Sequence, residues 1–253
     1  MQFKVVIPAR LASTRLPGKV LLPLAGKPLI EHVWLRACEA GADQVIIAAD
    51  SEQIAEVATG FGAEVCLTAQ SHESGTDRIH EVVSLKGWAG TDIVVNLQGD
   101  EPGMPPALIK QVAENLDLHH QADIATLCHA IASWEDWQNP GLVKVVRDLK
   151  GMAMYFSRAP IPHDRAVGQA GEQQLPAAGA WGHIGLYAYR VQALQRFSGL
   201  DVADLERCEA LEQLRAMAHG LRIHVDEALE KPGTGVDTED DLRRAEAEFL
   251  AVQ

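Results

Sequence analysis

Apolar and polar positions alternate along the first half of the chain in blocks that predict strands and helices in turn. Short continuous apolar runs are typical of strands in a parallel sheet, because helices cover both faces of such strands. Longer stretches with apolar residues three and four positions apart predict helices. The expected strands are 3–7, 44–49, 63–67 and 92–97, and the expected helices are 29–40, 52–59 (capped by Ser51), 77–85 and 106–116. This order predicts an α/β fold with a doubly wound, mostly parallel sheet.

The second half of the chain is less regular. Residues 163–179 carry Gly, Pro, Gln and Ala without periodicity, which favours a long mobile loop. We expect a single α/β domain over residues 1–253, in which 123–190 form a smaller inserted region for substrate binding and dimerisation. The other expected strands are 123–131, 142–147, 152–156, 182–189 and 221–225, and the other expected helices are 134–137, 208–219 and 238–250.

Composition narrows the classes of partner. The 253 residues have a formal net charge of -13, which disfavours nucleic acid and anionic membranes as partners. No apolar stretch approaches the roughly 20 residues that span a bilayer, and the N-terminus lacks the pattern of a signal peptide. The 4 cysteines are scattered without a C-x-x-C pair, which favours reduced thiols over a structural zinc site. We therefore expect a cytoplasmic protein.

The first loop is basic although the chain is acidic. Arg10, Arg15 and Lys19 follow the first strand, and residues 1–27 contain no acidic side chain. Arg and Lys supply several donors to phosphate oxygens, so the loop predicts a polyphosphate site, although the spacing is not that of a Walker loop. The alternative is a solvated, charged loop. Ligands of doubly wound sheets bind at the carboxyl ends of the strands, so the loops after residues 7, 49 and 97 should share one crevice.

Two aspartates are candidate magnesium ligands. Asp100 follows the strand 92–97, where a carboxylate can hold Mg²⁺ against phosphate oxygens, or can stabilise the turn before Pro102. Asp237 follows a glycine-rich segment that could bring it into the same crevice as a second ligand. Thr238 and Asp241 also match a capping box, and the cap and ligand interpretations of this segment are compatible.

Further polar residues form weaker patterns. The turn Ser74, Gly75, Thr76 could bond a base edge, but by itself it indicates a helix N-cap. Arg78 would lie in the first helical turn, where a cation opposes the helix dipole and so hints at an anionic partner. The spacing of His183 and Tyr187 places them on one face of a strand, where they could contact a small polar ligand or be ordinary packing. The spacing of Glu209, Glu212 and Gln213 places them on one face of a helix, where they could contact the same ligand or form a solvated surface.

Taken together and in order, these motifs resemble the 3-deoxy-manno-octulosonate (Kdo) cytidylyltransferases, the CMP-Kdo synthetases. The resemblance runs from about residue 2 to 250. It rests on IPAR at 7–10, STRLPGK at 13–19, SGTDR at 74–78, NLQGDEP at 96–102, YFSRA at 155–159, HIGLY at 183–187, LEQLR at 211–215 and PGTGVD at 232–237. It implies a nucleotide-diphospho-sugar transferase-like fold and the reaction of CTP with Kdo to CMP-Kdo and diphosphate. It also implies Mg²⁺, a homodimer and a cytoplasmic role in lipopolysaccharide synthesis.

The resemblance also assigns roles to residues. The cations implied to hold the CTP phosphates are Arg10, Arg15 and Lys19. The residues implied to contact the rest of the nucleotide are Ala9, Ser74, Gly75, Thr76, Gln98 and Asp100. The implied magnesium ligands are Asp100 and Asp237. The residues implied to line the Kdo pocket are Arg78, Gln98, Arg158, His183, Tyr187, Glu209, Glu212 and Gln213.

Two rival functions remain at this point. One is a cytidylyltransferase for another 2-keto acid sugar, such as sialic acid or an 8-amino analogue of Kdo. The other is a non-catalytic nucleotide-sugar sensor, against which the paired carboxylates argue because a sensor need not position metal. Ala49 and Asp77 depart from the residues frequent in the family, and nothing carries over within 165–178.

Overall fold

The computed structural model describes residues 1–13, 15–72, 74–166 and 173–251. The strands are β1 (Lys4–Ala9), β2 (Pro23–Leu24), β3 (Lys27–Pro28), β4 (Gln44–Ala49), β5 (Glu64–Leu67), β6 (Ile93–Asn96), β7 (Ile124–Ala130), β8 (Lys144–Arg147), β9 (Ala153–Ser157), β10 (Trp181–Arg190) and β11 (Ile223–Glu227). The helices are α1 (Leu29–Glu39), α2 (Glu52–Gly60), α3 (Gly75–Lys86), α4 (Pro106–Leu118), α5 (Trp134–Gln138), α6 (Val191–Ser198), α7 (Asp204–Glu209), α8 (Gln213–Ala218) and α9 (Glu239–Ala251).

The central sheet has the order β11-β7-β10-β6-β1-β4-β5. The pairs β1 with β4, β1 with β6, β4 with β5, and β7 with β11 are parallel. Strand β10 runs antiparallel between β6 and β7, and the hairpin β8–β9 attaches through β10. The prediction of an α/β fold with a mostly parallel sheet is confirmed.

Apolar side chains on both faces of the sheet form two cores. Along β1, Val5 and Ile7 point into the core that α1, α2 and α4 cover, whereas Val6 points into the core that α3, α6 and α8 cover. A strand buried on both faces reads as an unbroken apolar run because neither face meets water. The sheet is therefore doubly wound, as predicted, and the carboxyl ends of its parallel strands lie at one edge.

The predicted helix over 208–219 is wrong. Two short helices, α7 and α8, replace it, because Ala210 adopts a left-handed conformation with φ 51° and ends α7. Alanine is the strongest helix former, so propensity gave no sign of this break. The two helices are joined by a salt bridge from Arg215 to Glu206, with an N···O distance of 2.6 Å. Glu209, Glu212 and Gln213 therefore do not share one helical face.

Other differences are smaller. Helix α6 and the two-residue strands β2 and β3, connected through Ala25 and Gly26 with positive φ, were not expected. Residues 167–172 of the segment expected to be a mobile loop lie outside the described residues. Within the described ranges, no helix is both long and apolar enough to cross a membrane.

Candidate active site

A cleft opens at the carboxyl edge of the sheet, between the ends of β1 and β6 and the start of α3. The cavity within it has a volume of about 240 Å³. The amide of Leu11 donates to the Asp50 carboxylate at 2.9 Å, which ties the loops after β1 and β4 together. The loops after residues 7 and 97 therefore share the cleft, as predicted, whereas the loop after residue 49 contacts the first loop but does not line the cleft. The cleft is lined by Pro8, Arg10, Lys19, Val20, His72, Ser74, Gly75, Arg78, Gln98, Gly99 and Asp100.

Close backbone contacts at the cleft explain its glycines. A Cβ on Gly99 would lie 2.8 Å from the carbonyl oxygen of Pro8, closer than real contacts allow. A Cβ on Gly75 would lie 3.3 Å from Pro8 Cγ and 3.4 Å from Gln98 Oε1. Glycine therefore lets both segments pack directly against the end of β1.

Lys19 joins the two aspartates predicted to bind metal. Its Nζ donates to Asp100 Oδ2 at 2.5 Å and to Asp237 Oδ1 at 3.0 Å. Arg15 forms a second salt bridge to Asp237, at 2.9 Å. Partial burial lowers the pKa of Lys19, but the two carboxylates outweigh this effect and the pKa is raised. Lys19 therefore stays charged, and the first loop and both aspartates form one cluster.

The donor set of this cluster suits a magnesium ion. Asp100 and Asp237 offer carboxylate oxygens, which hard cations prefer, and both already contact the same cation, the Lys19 ammonium. Among the described residues there is no group of three or more His, Cys, Asp or Glu side chains that could hold a metal. Two carboxylates with phosphate oxygens completing the shell is the arrangement in which Mg²⁺ is commonly bound.

Glu101 is a third carboxyl group beside this cluster. A Cβ on Gly235 would lie 2.7 Å from Glu101 Oε1, so the glycine-rich segment before Asp237 packs directly onto it. Burial, followed by repulsion from Asp100 and Asp237, raises the pKa of Glu101 to about 8. The cluster therefore does not carry a third full negative charge at neutral pH.

Two arginines at the cleft have no carboxylate partner among the described residues. Arg10 is exposed, and its guanidinium lies outside every ion pair found there. Arg78 is buried, and its NH1 donates to Thr68 Oγ1 at 2.6 Å and to the Ala69 carbonyl at 3.1 Å. Burial lowers the pKa of Arg78. Asp50 and Glu81 oppose this effect from a distance, but neither forms a salt bridge with Arg78 among the described residues, so its guanidinium can take an anionic ligand.

The start of α3 has the cap that the sequence indicates. Ser74 Oγ accepts from the amide of Asp77 at 3.1 Å, and Ser74 and Gly75 also line the cleft. Thr76 is buried, and its hydroxyl donates to Glu212 Oε2 at 2.8 Å. Ala9 is buried as well, and its carbonyl accepts from the amide of Asp50. The nucleotide contacts expected of Ala9 and Thr76 remain predictions.

His183 and Tyr187 lie together, closer than their spacing in a regular strand, which predicts only a shared face. Their ring centroids are 5.3 Å apart, and burial lowers the pKa of His183 to about 3. The Tyr187 hydroxyl and Glu212 Oε1 are buried without a hydrogen-bond partner among the described residues. Unpaired buried polar atoms call for a ligand or water. The small cavity beside them is lined by Ile124, Tyr187, Tyr189, Phe197, Glu212, Gln213 and Ala216.

Arg158 and Glu209 bind each other and line neither pocket. Glu209 accepts from the Ser157 hydroxyl at 2.6 Å and from the Arg158 amide at 2.9 Å, while Arg158 Nε donates to the Glu209 carbonyl at 2.7 Å. The remaining Arg158 nitrogens donate to the carbonyls of Pro140 and Ala210. This arrangement fixes β9 to the end of α7, and the predicted contacts of both residues with substrate remain predictions.

Known proteins resemble this chain over nearly its whole length. Residues 4–223 match the family model of cytidylyltransferases. A 3-deoxy-manno-octulosonate cytidylyltransferase of Thioalkalivibrio sulfidiphilus is 54% identical over 246 residues, which cover 97% of this chain and 98% of the relative. The chain belongs to the 3-deoxy-manno-octulosonate cytidylyltransferase family. A second such cytidylyltransferase, of Actinobacillus pleuropneumoniae, is 51% identical over 96% of this chain and 97% of its own length.

The fold of this cytidylyltransferase also agrees with a solved relative. A structure of CMP:2-keto-3-deoxy-manno-octonic acid synthetase complexed with CTP superposes with a TM-score of 0.91 and is 38% identical, and the match covers 100% of both chains. The resemblance read from the sequence motifs is therefore confirmed, and the chain is a nucleotidyltransferase.

Several residues at or beside the candidate site of this cytidylyltransferase are absent from the sequence-based set. His72 lines the cleft and its Nε2 lies 2.5 Å from Glu81 Oε2, but it follows no motif that marks it. Glu101 adjoins Asp100 in the NLQGDEP motif, which could have drawn attention to it. Thr126, whose hydroxyl lies 3.0 Å from His183 Nε2, sits inside an apolar strand and gives no signal.

Proposed function

We propose that this chain transfers CMP from CTP to Kdo, giving CMP-Kdo and diphosphate. The observation that carries the proposal is the cluster in which Lys19 meets Asp100 and Asp237 at the edge of the cleft, in a chain of this family. The anomeric hydroxyl of Kdo attacks the α-phosphorus of CTP. A new P–O bond forms, the bond to the bridging oxygen of the β-phosphate breaks, and diphosphate leaves with the electron pair while the hydroxyl proton passes to solvent.

The cations of the first loop are assigned to different phosphates of CTP. Arg10, which has no ion pair among the described residues, is assigned to the reacting α-phosphate. Arg15 and Lys19 are assigned to the departing diphosphate, where they neutralise the charge that develops as the bond breaks. Both of these cations contact Asp237 at present, so they must exchange that carboxylate for phosphate oxygens.

Asp100 and Asp237 are assigned to magnesium. Bound magnesium would supply charge neutralisation at the phosphates and a lower pKa for the attacking hydroxyl. The residues themselves contribute position. Asp100 lies in the turn just beyond the end of β6, and Asp237 is held at the N-terminus of α9, where its amide donates to Asp241 Oδ2 at 3.2 Å.

The acceptor is assigned to the space between the cleft and the small cavity. Arg78, buried and without a carboxylate partner among the described residues, suits the carboxylate of a 2-keto sugar acid. The unpaired Tyr187 hydroxyl and Glu212 Oε1 suit sugar hydroxyls. Gln98 and Gln213 complete the assignment, each lining one of the two pockets. Positioning of the two substrates, rather than a covalent nucleophile, accounts for the rate.

We further propose a homodimer that works in the cytoplasm in lipopolysaccharide synthesis. The β8–β9 hairpin, inside the region 123–190, supports the dimer because Leu149 is 107% exposed and Met154 is 64% exposed. Apolar side chains that form one exposed patch mark an interaction surface, and we propose that these two side chains belong to such a patch. Met154→Glu should shift the mass measured by light scattering from dimer to monomer, and an unchanged dimer would exclude this surface.

The experiment that tests the function measures diphosphate release with CTP, Mg²⁺ and Kdo. Release with Kdo, and not with sialic acid, supports the assignment, and an 8-amino analogue of Kdo tests how narrow the acceptor pocket is. No release with any sugar acid would favour a sensor instead. Asp100→Asn should abolish release, whereas the matched variant Asp201→Asn, at an exposed aspartate that lines neither pocket, should not.

A further inference from the structure

Strand β10 contains a bulge next to the proposed acceptor site. Ile184 lies opposite Leu127 of β7, but Tyr187 lies opposite the next residue, Thr126, so Gly185 and Leu186 are extra residues in β10. A bulge leaves its extra residues outside the ladder and redirects the side chains around it. Here it allows His183 and Tyr187 to face each other across the extra residues.

The Thr126 hydroxyl is fully buried at this bulge. Its Oγ1 lies 2.8 Å from the carbonyl oxygen of Leu186, 3.0 Å from that of Ile184 and 3.0 Å from His183 Nε2. A hydroxyl has a single proton but two lone pairs. If that proton is donated to a bulge carbonyl, the oxygen must accept from His183, which requires a proton on Nε2. The reverse tautomer would draw the hydroxyl proton away from both carbonyls.

Packing prevents the ring from escaping this arrangement. Phe156 meets the His183 ring edge-on with centroids 5.1 Å apart, and Tyr187 lies on another side at 5.3 Å. Burial keeps the ring neutral, since the pKa of His183 falls to about 3. A neutral imidazole with its proton on Nε2 has a free lone pair on Nδ1. Nδ1 makes no hydrogen bond within the part of the chain that the structure describes.

We propose that Thr126 is a positioning residue for the acceptor, which holds His183 in the Nε2–H tautomer so that Nδ1 accepts a hydrogen bond from a hydroxyl of the sugar acid. This rests on the proposed function. The second-layer hydroxyl acts here as backbone carbonyls and carboxylates do behind metal-binding histidines, where the partner of one ring nitrogen decides what the other can bind. Together with Glu212 Oε1, which also accepts, His183 then selects an acceptor rich in hydroxyl donors.

The first test needs no substrate. Nitrogen-15 NMR of the histidine side chains in the free enzyme, with the His183 signal assigned through His183→Gln, reports which nitrogen carries the proton. The wild type and Thr126→Ser should show Nε2–H, and Thr126→Val should show the other tautomer or a mixture of the two. A wild type in the Nδ1–H form, or a valine variant with an unchanged tautomer, would overturn the positioning role.

The second test is kinetic. Thr126→Val should raise KM for Kdo about tenfold or more, the effect of one hydrogen bond, while KM for CTP stays within about twofold, and Thr126→Ser should restore KM for Kdo. Equal increases in both KM values would indicate a merely structural role and overturn the proposal. A wild-type enzyme inactive with Kdo would instead overturn the proposed function, and the tautomer measurement would still decide the role of Thr126. If the valine variant does not fold, the wild-type and serine tautomers decide.

Discussion

Removing the Lys19 ammonium should strengthen metal binding to the free enzyme. Lys19 contacts both candidate magnesium ligands, Asp100 and Asp237, so in the absence of nucleotide it competes with any cation for them. Lys19→Met keeps most of the side-chain length and removes this competitor. Under the proposed function, the same substitution should weaken CTP binding, because Lys19 is assigned to the β- and γ-phosphates.

The size of the effect follows from the burial of the cluster. Opposite charges 4 Å apart near a protein surface attract by about 4 kcal/mol, whereas fully exposed pairs contribute about 0.2–1 kcal/mol. The Lys19 side chain is 11% exposed, while those of Asp100 and Asp237 are 28% and 48% exposed. We therefore expect a value between these limits, about 1.4 kcal/mol, which corresponds to about tenfold in metal affinity.

The assay is the electron paramagnetic resonance of free Mn²⁺, titrated with enzyme in the absence of CTP. Arg10→Met is the matched control, since it removes the same charge from the same cleft without breaking an ion pair to either aspartate among the described residues. Lys19→Met should raise the affinity for Mn²⁺ about tenfold, and Arg10→Met should raise it clearly less. The double variant Lys19→Met with Asp100→Asn should not show the increase. Equal Mn²⁺ affinities for wild type and Lys19→Met would refute the competition.

Three further predictions concern other parts of the molecule. Asp100→Ala should abolish metal-dependent diphosphate release while circular dichroism shows an intact fold, and near-normal release would exclude Asp100 as a ligand. Gly99→Ala should lower the unfolding free energy by about 1–3 kcal/mol through overpacking against Pro8, and an unchanged urea midpoint would contradict the contact. Burial lowers the pKa of His224 to about 4 from 6.5, so between these pH values only the unfolded state gains a proton and stability falls as pH falls. His224→Gln should flatten the urea midpoint between pH 7 and 5, and an equally steep decline would refute this.

Local patterns predicted much of the first half of the chain. Strand β4 has the expected bounds, and Ser51 caps α2 by accepting from the amide of Ile54 at 3.3 Å. Apolar period and capping chemistry are properties of neighbouring residues, so the sequence carries them directly. The same logic located the cleft, because strand ends in a doubly wound sheet share an edge.

Contacts between distant residues were not predictable in the same way. The left-handed turn at Ala210 opposes the helix propensity of alanine, and its carbonyl accepts from Arg158, which is 52 positions away in the sequence. The pairing of Arg158 with Glu209 also arises only when β9 and α7 meet. No sequence motif marks Thr126, which lies in the apolar strand β7, and its hydroxyl meets its partners only because β10 has a bulge beside it. These features therefore come from the packing of separate elements.

The late position of Asp237 in the chain has a consequence for synthesis on the ribosome. Strand β11 ends at Glu227, so a growing chain that has emerged to that point contains every strand of the central sheet described above. It still lacks Asp237, and Lys19 and Asp100 have no second carboxylate to join them. Domains can fold as they emerge, so the sheet can form before this cluster. Under the roles proposed above, a nascent chain can be folded and inactive, and activity begins only when the segment that bears Asp237 docks.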